Sequence, residues 1–547
     1  MRKLIASVSA TLIAGSLFAG GLVTNSNQST SWVRLPSRNA SVGIDAVYYN
    51  PAGLMKLENG FHFSLSNQTI FQTRDIENFY TGPGGGYGLN QYAYKGEVSA
   101  PIFPSIYGVY KMDRFAFSLG FNPIGGGGGA EYNIGLPSFE MTPSDLVPAL
   151  ASSFGVTQYR IDAYLKGESV FFGLQGGVSF KINDWLSVAA GMRYVSAKNT
   201  YLGHLTDIEV NTGTVENPNW QRADQIMTTI AASYNTAATG SAGLVSAGAG
   251  SLTFAQAQAL GYISVAQRAL FEGALTALGY PAATPIGTAN VIYNGAAVKY
   301  NNNAILLGDQ YADVEQNGYG ITPIFSVNIS PTENLNIGIK YEMKTRMEIT
   351  NSTTGDFMVG IASDGTPVTM FPDGGTTPSD MPALLSVGLD YKLGDAAKIS
   401  LGSNYYWDKT ANYGHKVDND NNSSTPSVFI PNKDIIDQNG LSIHGGVEVY
   451  LSEKLLVSGG YAFANKGVND KYQSDLTYGL ASHTFGAGGA YNIMNNLQLN
   501  LGFGYTQYVS DDNIIDHVYS ANGTIYEVPE RYGKNAMIFS VGVDFSF

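Results

Sequence analysis

The sequence predicts an all-β fold, a transmembrane antiparallel β-barrel of about 14 strands. Bulky apolar residues alternate with small or polar ones over many short segments, and short turns alternate with long polar links between these segments. Charged residues make up 14% of the 547 residues, while glycine (65) and tyrosine (35) are abundant. Soluble domains carry roughly 25% charged residues. This composition is typical of membrane barrels, which place aromatic residues at the two interfaces.

The alternation is clearest near the C-terminus, where Leu497, Leu499, Leu501 and Phe503 share one face and small or polar residues share the other. A soluble β-sandwich produces the same pattern with its apolar face inward. Small residues on the polar face and aromatic clusters near strand ends favour a membrane barrel instead, with the apolar face outward against lipid. The predicted strands start near Phe61, Ser105, Phe115, Ser169, Leu186, Tyr319, Leu335, Leu384, Lys398, Leu441, Leu455, His483, Leu497 and Ala536.

Charge and composition exclude several functions. The net charge of −14 argues against nucleic acid as a partner, and the absence of cysteine excludes thiolate metal sites and cysteine nucleophiles. The six histidines are scattered without ligand spacing, and no nucleophile motif is present. We therefore expect no enzyme, no cofactor and no metal site. Asp418 and Asp420 could hold Ca²⁺ in a loop, but Ser423 stands where glycine is expected, so a solvated loop is the alternative.

The N-terminus predicts export. Arg2 and Lys3 precede an apolar run and then small residues, so residues 1–20 are predicted to be a signal peptide. The alternative, a membrane-anchor helix, needs about 20 apolar residues, and this run is shorter. No later segment reaches that length either. A chain without an apolar run of that length can span a membrane only as a closed barrel.

Three further regions are predicted after the signal peptide. Residues 21–58 lack periodicity and form a segment, here called the hatch, that must pack inside something larger. Residues 59–547 form the barrel, interrupted by an extracellular helical insertion at residues 203–309. Within the insertion we expect helices at 223–234 and 253–278 and a flexible link at 240–250; a shorter helix is expected at 144–153. Ile263, Leu270 and Leu278 are predicted to share one apolar stripe.

The hatch contains the turn sequence Asn50, Pro51, Ala52 and Gly53, close to polar stretches at residues 24–29 and 38–41. Asparagine and glycine tolerate positive φ, and proline fixes φ near −65°. Placed between a signal peptide and a strand series, this motif resembles the N-terminal hatch of the long-chain fatty acid transporter (FadL/TodX-type) family. The final alternating strand ends in Phe547, which resembles the signature that the barrel assembly machinery binds.

The resemblance implies passive uptake of hydrophobic molecules, such as long-chain fatty acids, across the outer membrane of a Gram-negative bacterium. In that family a surface groove captures the ligand, an apolar pocket holds it, and the hatch blocks a free pore. Expected partners are hydrophobic small molecules, outer-membrane lipids and the assembly machinery, with the protein acting as a monomer. The alternatives are a plugged barrel with a structural or adhesive role and a porin for other small solutes. The helical insertion is the candidate capture groove, or else only a cap.

The third predicted strand is broken by Pro123 and five glycines, Gly125, Gly126, Gly127, Gly128 and Gly129. Proline cannot donate to the ladder and glycine weakens a strand, so we expect a local failure of pairing. The family resemblance implies a lateral gate in this strand; the alternative is an exposed loop beyond the strand end. Arg34 and Arg38, the cations of the hatch, are candidate contacts for a ligand head group, or else partners in structural salt bridges to the lumen wall.

Overall fold

The computed structural model describes residues 22–88, 92–362, 365–417, 428–519 and 521–547. The predicted signal peptide (residues 1–20) and the candidate calcium loop (residues 418–422) lie outside these ranges. No helix in the described ranges is long and apolar enough to cross a membrane.

Fourteen antiparallel strands close into one barrel within the described part of the chain. They are β1 (Gly60–Asn78), β2 (Tyr92–Met112), β3 (Phe115–Tyr132), β4 (Gln158–Lys181), β5 (Leu186–Asn211), β6 (Gln310–Ile329), β7 (Leu335–Glu342 and Glu348–Gly355), β8 (Thr376–Pro378 and Leu384–Leu393), β9 (Ala397–Tyr406), β10 (Gly440–Tyr450), β11 (Leu455–Ala464), β12 (Ser482–Met494), β13 (Leu497–Tyr508) and β14 (Thr524–Ser546). Each strand pairs with the next, and β14 pairs with β1 to close the barrel. The predicted fold class is confirmed, and each predicted start falls in a different strand.

The outer face of the barrel carries an apolar band. Outward side chains such as Leu119, Leu501 and Phe539 are 58%, 53% and 51% exposed. Towards one end of the strands, the outward positions of β1 and β14 become charged, as at Glu77 and Arg531. A continuous exposed apolar surface of this size is stable in lipid rather than in water, so the band marks the membrane-spanning part of the barrel.

The two ends of the barrel differ. Short turns join the strands at the end where the backbone of Phe61 bonds that of the C-terminal Phe547. Long connections lie at the opposite end and carry helix α3 (Pro137–Phe154), which extends the predicted helix at 144–153 in both directions. A hairpin formed by Asp511–Tyr519 and the first half of β14 rises at the same end.

The helical insertion lies between β5 and β6 and builds its own apolar core. Its helices are α4 (Ala223–Leu244), α5 (Phe254–Ala259), α6 (Val265–Ala277) and α7 (Ile286–Leu306). The prediction of one helix over 253–278 is wrong because two capping boxes, at Thr253 and Ser264, start separate helices. The predicted flexible link is wrong as well, since α4 continues to Leu244 and a π-helical turn, Val245–Ala249, follows.

The apolar band yields a stability prediction. Leu501→Arg places a charge on the lipid face and should lower the free energy of unfolding by about 2–4 kcal/mol if it lies near the bilayer midplane. The matched control is Ile525→Arg, because Ile525 is similarly exposed but lies beyond the band on the hairpin side of β14. Urea titration in phosphatidylcholine vesicles, followed by heat-modifiable gel migration, measures both. Equal losses of unfolding free energy in the two variants would contradict the assignment of the apolar band to the membrane-spanning part of the barrel.

Candidate functional site

The hatch fills the barrel lumen. Helix α1 (Thr30–Arg34) begins at Ser29, whose hydroxyl accepts a hydrogen bond from the Trp32 amide at 3.0 Å. Helix α2 (Ala46–Tyr49) leads into a 3₁₀ turn at Pro51–Lys56. Nearly every residue from 23 to 55 is buried, including Trp32 at 1% exposure. The hatch therefore has little surface of its own and depends on the wall for its packing.

Glycines on the inner wall make room for the hatch backbone. A Cβ added to Gly388 would lie 2.5 Å from the Ala40 amide nitrogen, and one added to Gly338 would lie 2.5 Å from the Asn39 carbonyl oxygen. Contacts this short cannot be relieved by moving a flexible side chain, because both hatch atoms belong to the backbone. The same close approach to hatch atoms occurs at Gly402, Gly446, Gly460, Gly486, Gly488, Gly502 and Gly542.

Asn50 of the turn motif joins the hatch to the wall. Its side-chain nitrogen donates to Asn328 Oδ1 at 2.7 Å and to the Ser41 carbonyl at 3.1 Å, and its side-chain oxygen accepts from Ser326 Oγ at 2.9 Å. The following carbonyls accept hydroxyl hydrogen bonds from Ser179 and Ser187, both at 2.7 Å. The motif thus bonds to three adjacent strands: β4, β5 and β6. A buried amide satisfied in this way is a strong anchor.

Pro51, Ala52 and Gly53 complete the anchor. Ala52 is fully buried, and its amide donates to Ser326 Oγ at 3.2 Å. A Cβ on Gly53 would lie 2.6 Å from the Asn50 side-chain nitrogen and even closer to the Ser41 carbonyl oxygen. Only glycine therefore fits at this position without displacing the amide that holds the turn.

Arg38 pairs within the hatch. Its guanidinium donates to both carboxylate oxygens of Asp45 at 2.8 Å and to Ser41 Oγ at 2.8 Å. Burial alone raises the pKa of Asp45, but the Arg38 charge and hydrogen bonds from Arg38, Ser41 and Ser29 hold it below its usual value. Of the two roles expected for Arg38, a ligand contact or a structural salt bridge, the geometry is that of a salt bridge. The bridge lies within the hatch and does not reach the wall.

Arg34 pairs with the wall. Its guanidinium lies 2.7 Å from a carboxylate oxygen of Glu448 on β10 and donates to Ser458 Oγ at 2.9 Å. Glu448 also forms an ion pair with Lys398 of β9. A ligand carboxylate at Arg34 would have to replace Glu448, so both hatch cations have the geometry of structural salt bridges.

A second ion cluster, which contacts Tyr48 of the hatch, was missed by sequence reasoning. Arg193 of β5 makes a two-pronged ion pair with Glu342 of β7, at 2.8 and 3.0 Å. Lys340 also contacts Glu342 at 2.6 Å and donates to the Tyr48 carbonyl at 2.8 Å. All three charged residues stand at inward positions of alternating strands. This position was the signal in the sequence that could have indicated a buried ion cluster. Their pairing depends on register across β6, which the sequence does not reveal.

The wall is interrupted between β2 and β3. Their ladder runs as far as Ile106 opposite Phe121 and resumes only at Glu97 opposite Glu131. Residues 98–105 of β2 and 122–130 of β3 therefore do not pair with one another. We call this unpaired stretch the seam. On its other side β3 stays paired with β4, with register shifts on either side of Gly125.

β3 turns inward at the seam. Residues 122–127 are all buried, in place of the usual alternation. The hatch terminus takes over part of the missing pairing, because the Asn25 amide donates to the Ile124 carbonyl at 2.8 Å and the Gly126 amide to the Val23 carbonyl at 3.3 Å. Gly126 has φ +90°, and a Cβ there would collide with the Ser169 carbonyl. The glycine run is thus part of the wall and not an exposed loop beyond it.

The remaining members of the run share this environment. Pro123 is buried opposite Phe172, and a Cβ on Gly125 would collide with the Val23 carbonyl of the hatch. Gly127 is buried, and Gly128 and Gly129 pair with Ser169 and Glu168 of β4.

The seam opens at the height of the apolar band. The unpaired stretch of β2 lies beside residues 66–72 of β1. Outward residues at that height on β1 include Leu65 and Phe71, which are 47% and 45% exposed. Ile102, in the seam itself, is 75% exposed. The seam therefore faces the hydrocarbon layer.

The insertion does not bring its three predicted groove residues together. Ile263 is buried before α6 begins and Leu278 packs partly against the helical core, but Leu270 is 74% exposed. The predicted stripe is wrong because Ile263 precedes the Ser264 cap and so lies outside the helical spacing. The residues that face the core are instead Phe271, Ala274 and Leu275.

Comparisons with known proteins identify the fold. No protein-family model matches the chain, and no curated protein matches it. A Pseudomonas aeruginosa FadL homologue superposes with a TM-score of 0.56 at 14% identity, covering 98% of this chain and 100% of that one. The TodX deltaS2S3 mutant monoaromatic hydrocarbon channel gives a TM-score of 0.50 at 12% identity, covering 96% and 100%. The chain therefore has the fold of FadL-type barrels, which confirms the resemblance at the level of the fold.

The anchor of the hatch provides a test. Asn50→Ala removes three hydrogen bonds and leaves the buried Asn328 and Ser326 side chains short of a partner, at about 1–3 kcal/mol for each unpaired group. We expect normal barrel insertion with a loosened hatch, measured as faster proteolysis within residues 22–58 in the folded protein. Asn317→Ala on the outer side of β6, which removes a hydrogen bond to the exposed Glu315 side chain, is the control and should leave hatch proteolysis unchanged. A protease-resistant hatch in the Asn50 variant would contradict the anchoring role.

Proposed function

We propose that this protein is an outer-membrane channel for passive uptake of hydrophobic molecules, long-chain fatty acids among them, with lateral release through the seam. The observation that carries the proposal is the position of the seam: a plugged barrel has an opening in its wall at the height of the apolar band. Transfer of an apolar molecule into hydrocarbon is favourable in free energy. For a polar solute the same transfer is not favourable, so an exit into the membrane would not help its uptake.

The fold supports the same class of cargo. One of the structures similar to it is named a monoaromatic hydrocarbon channel and another a FadL homologue, and neither name describes an enzyme. Placement in the outer membrane of a Gram-negative bacterium follows from a barrel of this type preceded by an expected signal peptide. One chain supplies both the closed wall and its plug, which supports action as a monomer. The barrel assembly machinery and outer-membrane lipids are the partners expected of such a barrel.

The alternatives have weaker support. A porin needs a continuous aqueous lumen, and this lumen is packed with the hatch and its ion pairs. A structural or adhesive role would use the helical insertion as a surface and give the seam no purpose. Conductance in planar bilayers separates the first alternative: the proposed channel shows no large, steady ion current, whereas a porin does.

The seam can be blocked by one substitution. Gly127→Trp puts a large side chain into the buried kink of β3, so we expect it to reduce uptake of a long-chain fatty acid at least tenfold in cells lacking their own transporter. The matched control is Gly108→Trp, which stands at an outward position of β2 where an added Cβ meets no atom within 4 Å.

Both variants must first show heat-modifiable migration and outer-membrane fractionation like the parent. Unchanged uptake in a folded Gly127→Trp protein would rule out exit through the seam. Equal losses in both variants would show that bulk in the β2–β3 hairpin, and not the seam, limits uptake.

The insertion is proposed as the capture surface at the extracellular end. Deleting residues 231–298 removes most of its helical core but keeps Ile226, Met227 and Leu307, which pack against α3. We expect a folded barrel, because surface insertions tolerate changes of length. Ligand capture by intact cells at low concentration should fall. Parental capture in the deletion variant would reduce the insertion to a cap.

A further inference from the structure

Helix α3 lies across the barrel mouth at the end that carries the long connections. Its 18 residues span roughly 27 Å at 1.5 Å per residue. The Phe139 ring lies 5.4 Å from that of Phe357, which follows β7. The Ser138 amide donates at 2.9 Å to Asp475, in the connection between β11 and β12. These partners come from the rim on either side of β3 and β4, the strands that α3 connects, so the helix crosses the opening.

The two parts of α3 belong to different apolar cores. Phe139 and Met141 pack in the core that contains the hatch and the buried side of the wall. Leu146 and Leu150 pack instead with Ile226 and other residues at the base of the helical insertion. The helix therefore stands between the insertion, which is the proposed capture surface, and the lumen. A molecule captured on the insertion has to pass α3 to reach the hatch.

One carboxylate of α3 joins the helix to two other connections. Asp145 is fully buried. Its Oδ1 accepts from Tyr80 Oη at 2.7 Å, and its Oδ2 lies 2.7 Å from His517 Nε2. Tyr80 belongs to the connection between β1 and β2, and His517 belongs to the hairpin before β14. We call these three side chains the latch. Hydrogen bonds to a carboxylate are about twice as strong as those between neutral groups, so the latch favours the closed position of α3.

The backbone of α3 is weak at the latch. Pro143 and Pro148 lie inside the helix, one on each side of Asp145, and each removes a backbone hydrogen bond. Gly135 and Gly155 flank the helix with φ of +70° and +66°, which glycine adopts without strain. The position of the helix therefore depends on contacts with its surroundings, the latch among them, more than on its own backbone bonds.

We propose that α3 is an outer gate that controls entry into the lumen and that the latch of Asp145, Tyr80 and His517 holds this gate closed. The outer gate rests on the proposed function and adds its regulation. A captured molecule enters when the two hydrogen bonds of the latch break and α3 moves off the mouth. Exit through the seam is a later step and uses other residues.

A buried thiol reports the opening of α3 without any ligand. The chain has no cysteine, and Ser144, next to Asp145, is fully buried, so Ser144→Cys introduces a single buried thiol. Full-length protein in phosphatidylcholine nanodiscs is treated with a water-soluble maleimide, and the labelling rate is measured by mass spectrometry. Adding Tyr80→Phe/His517→Leu removes both donors of the latch and should accelerate labelling roughly 10- to 100-fold. Ser152→Ala, at the exposed end of α3, is the matched control and should leave the rate unchanged.

A further substitution separates the latch from general damage. Asp145→Leu, added to Tyr80→Phe/His517→Leu, replaces the whole buried polar group with apolar side chains. Such a replacement is often nearly neutral, whereas a buried carboxylate that has lost its donors is costly. Labelling in this triple variant should return to within about threefold of the Ser144→Cys protein. A triple variant that is labelled as fast as the double variant would show that lost packing, and not the latch, opens α3.

Uptake tests whether the outer gate lies on the path of the ligand. Cells that lack their own transporter are given radiolabelled hexadecanoate at low concentration. The initial rate should rise at least threefold in Tyr80→Phe/His517→Leu and return to the parental rate with Asp145→Leu. Both variants must first show heat-modifiable migration and outer-membrane fractionation like the parent.

The outcomes distinguish the outer gate from the proposed function. If the double variant is labelled no faster than the reporter protein, the latch does not hold α3, and the inference is wrong while the channel stands. If labelling accelerates but uptake stays parental or falls, α3 does not limit entry, and the inference is again wrong. If the parental protein takes up no hexadecanoate, the proposed function fails and the outer gate with it.

Discussion

Close packing between the hatch backbone and the inner wall is the constraint on which the rest of this structure depends. A barrel of 14 strands is too wide for its own side chains to fill. Here the luminal positions nearest the hatch are glycines, at Gly338 and Gly388 among others, and the hatch backbone occupies the space that their side chains would take. The strands therefore carry small side chains on the inner face and bulky ones on the outer face for one reason. The sequence must leave room on the inside for a second segment of chain.

Charge fixes the hatch in that space. The ion pairs Arg34–Glu448, Arg38–Asp45 and Arg193–Glu342 are all buried. Taking a charge out of water costs several kcal/mol, and removing one partner of such a pair typically costs 3–5 kcal/mol. Withdrawal of the whole hatch would break the pair to the wall and uncover the others. Its terminus is held by neutral hydrogen bonds: backbone groups bond to β3 near residues 124–126, and the hydroxyls of Tyr48 and Tyr49 donate to the carbonyls of Asn25 and Ser26.

The strands could be predicted from the sequence because a period of two survives over at least part of every one, including the first half of β3. Strand ends were harder: β2, β4, β6 and β14 begin about ten residues before their predicted starts, since polar residues on both faces hide the alternation outside the membrane. The turn motif and the break in β3 were visible as local chemistry. The partners of Arg34 and Arg193 were not, because they depend on strand register across the lumen. Leu270 was misplaced because a helix cap interrupts the spacing that the stripe assumed.

Several backbone groups at the edges of the seam are satisfied although the two edges are not joined. An unpaired backbone group facing hydrocarbon costs several kcal/mol, so an open ladder is normally unstable there. On β2, Pro101 and Pro104 have no N–H group to leave unpaired, and the Pro101 carbonyl accepts hydrogen bonds from Asn67 and Thr69 at 3.1 Å. On β3, Pro123 likewise has no N–H, and the hatch terminus pairs with the residues that follow it. A molecule that leaves through the seam would therefore break no hydrogen bond between β2 and β3. It would have to displace only side chains and the hatch terminus. The strands on either side of the seam would keep their other hydrogen bonds, so the barrel can stay folded while the seam is open.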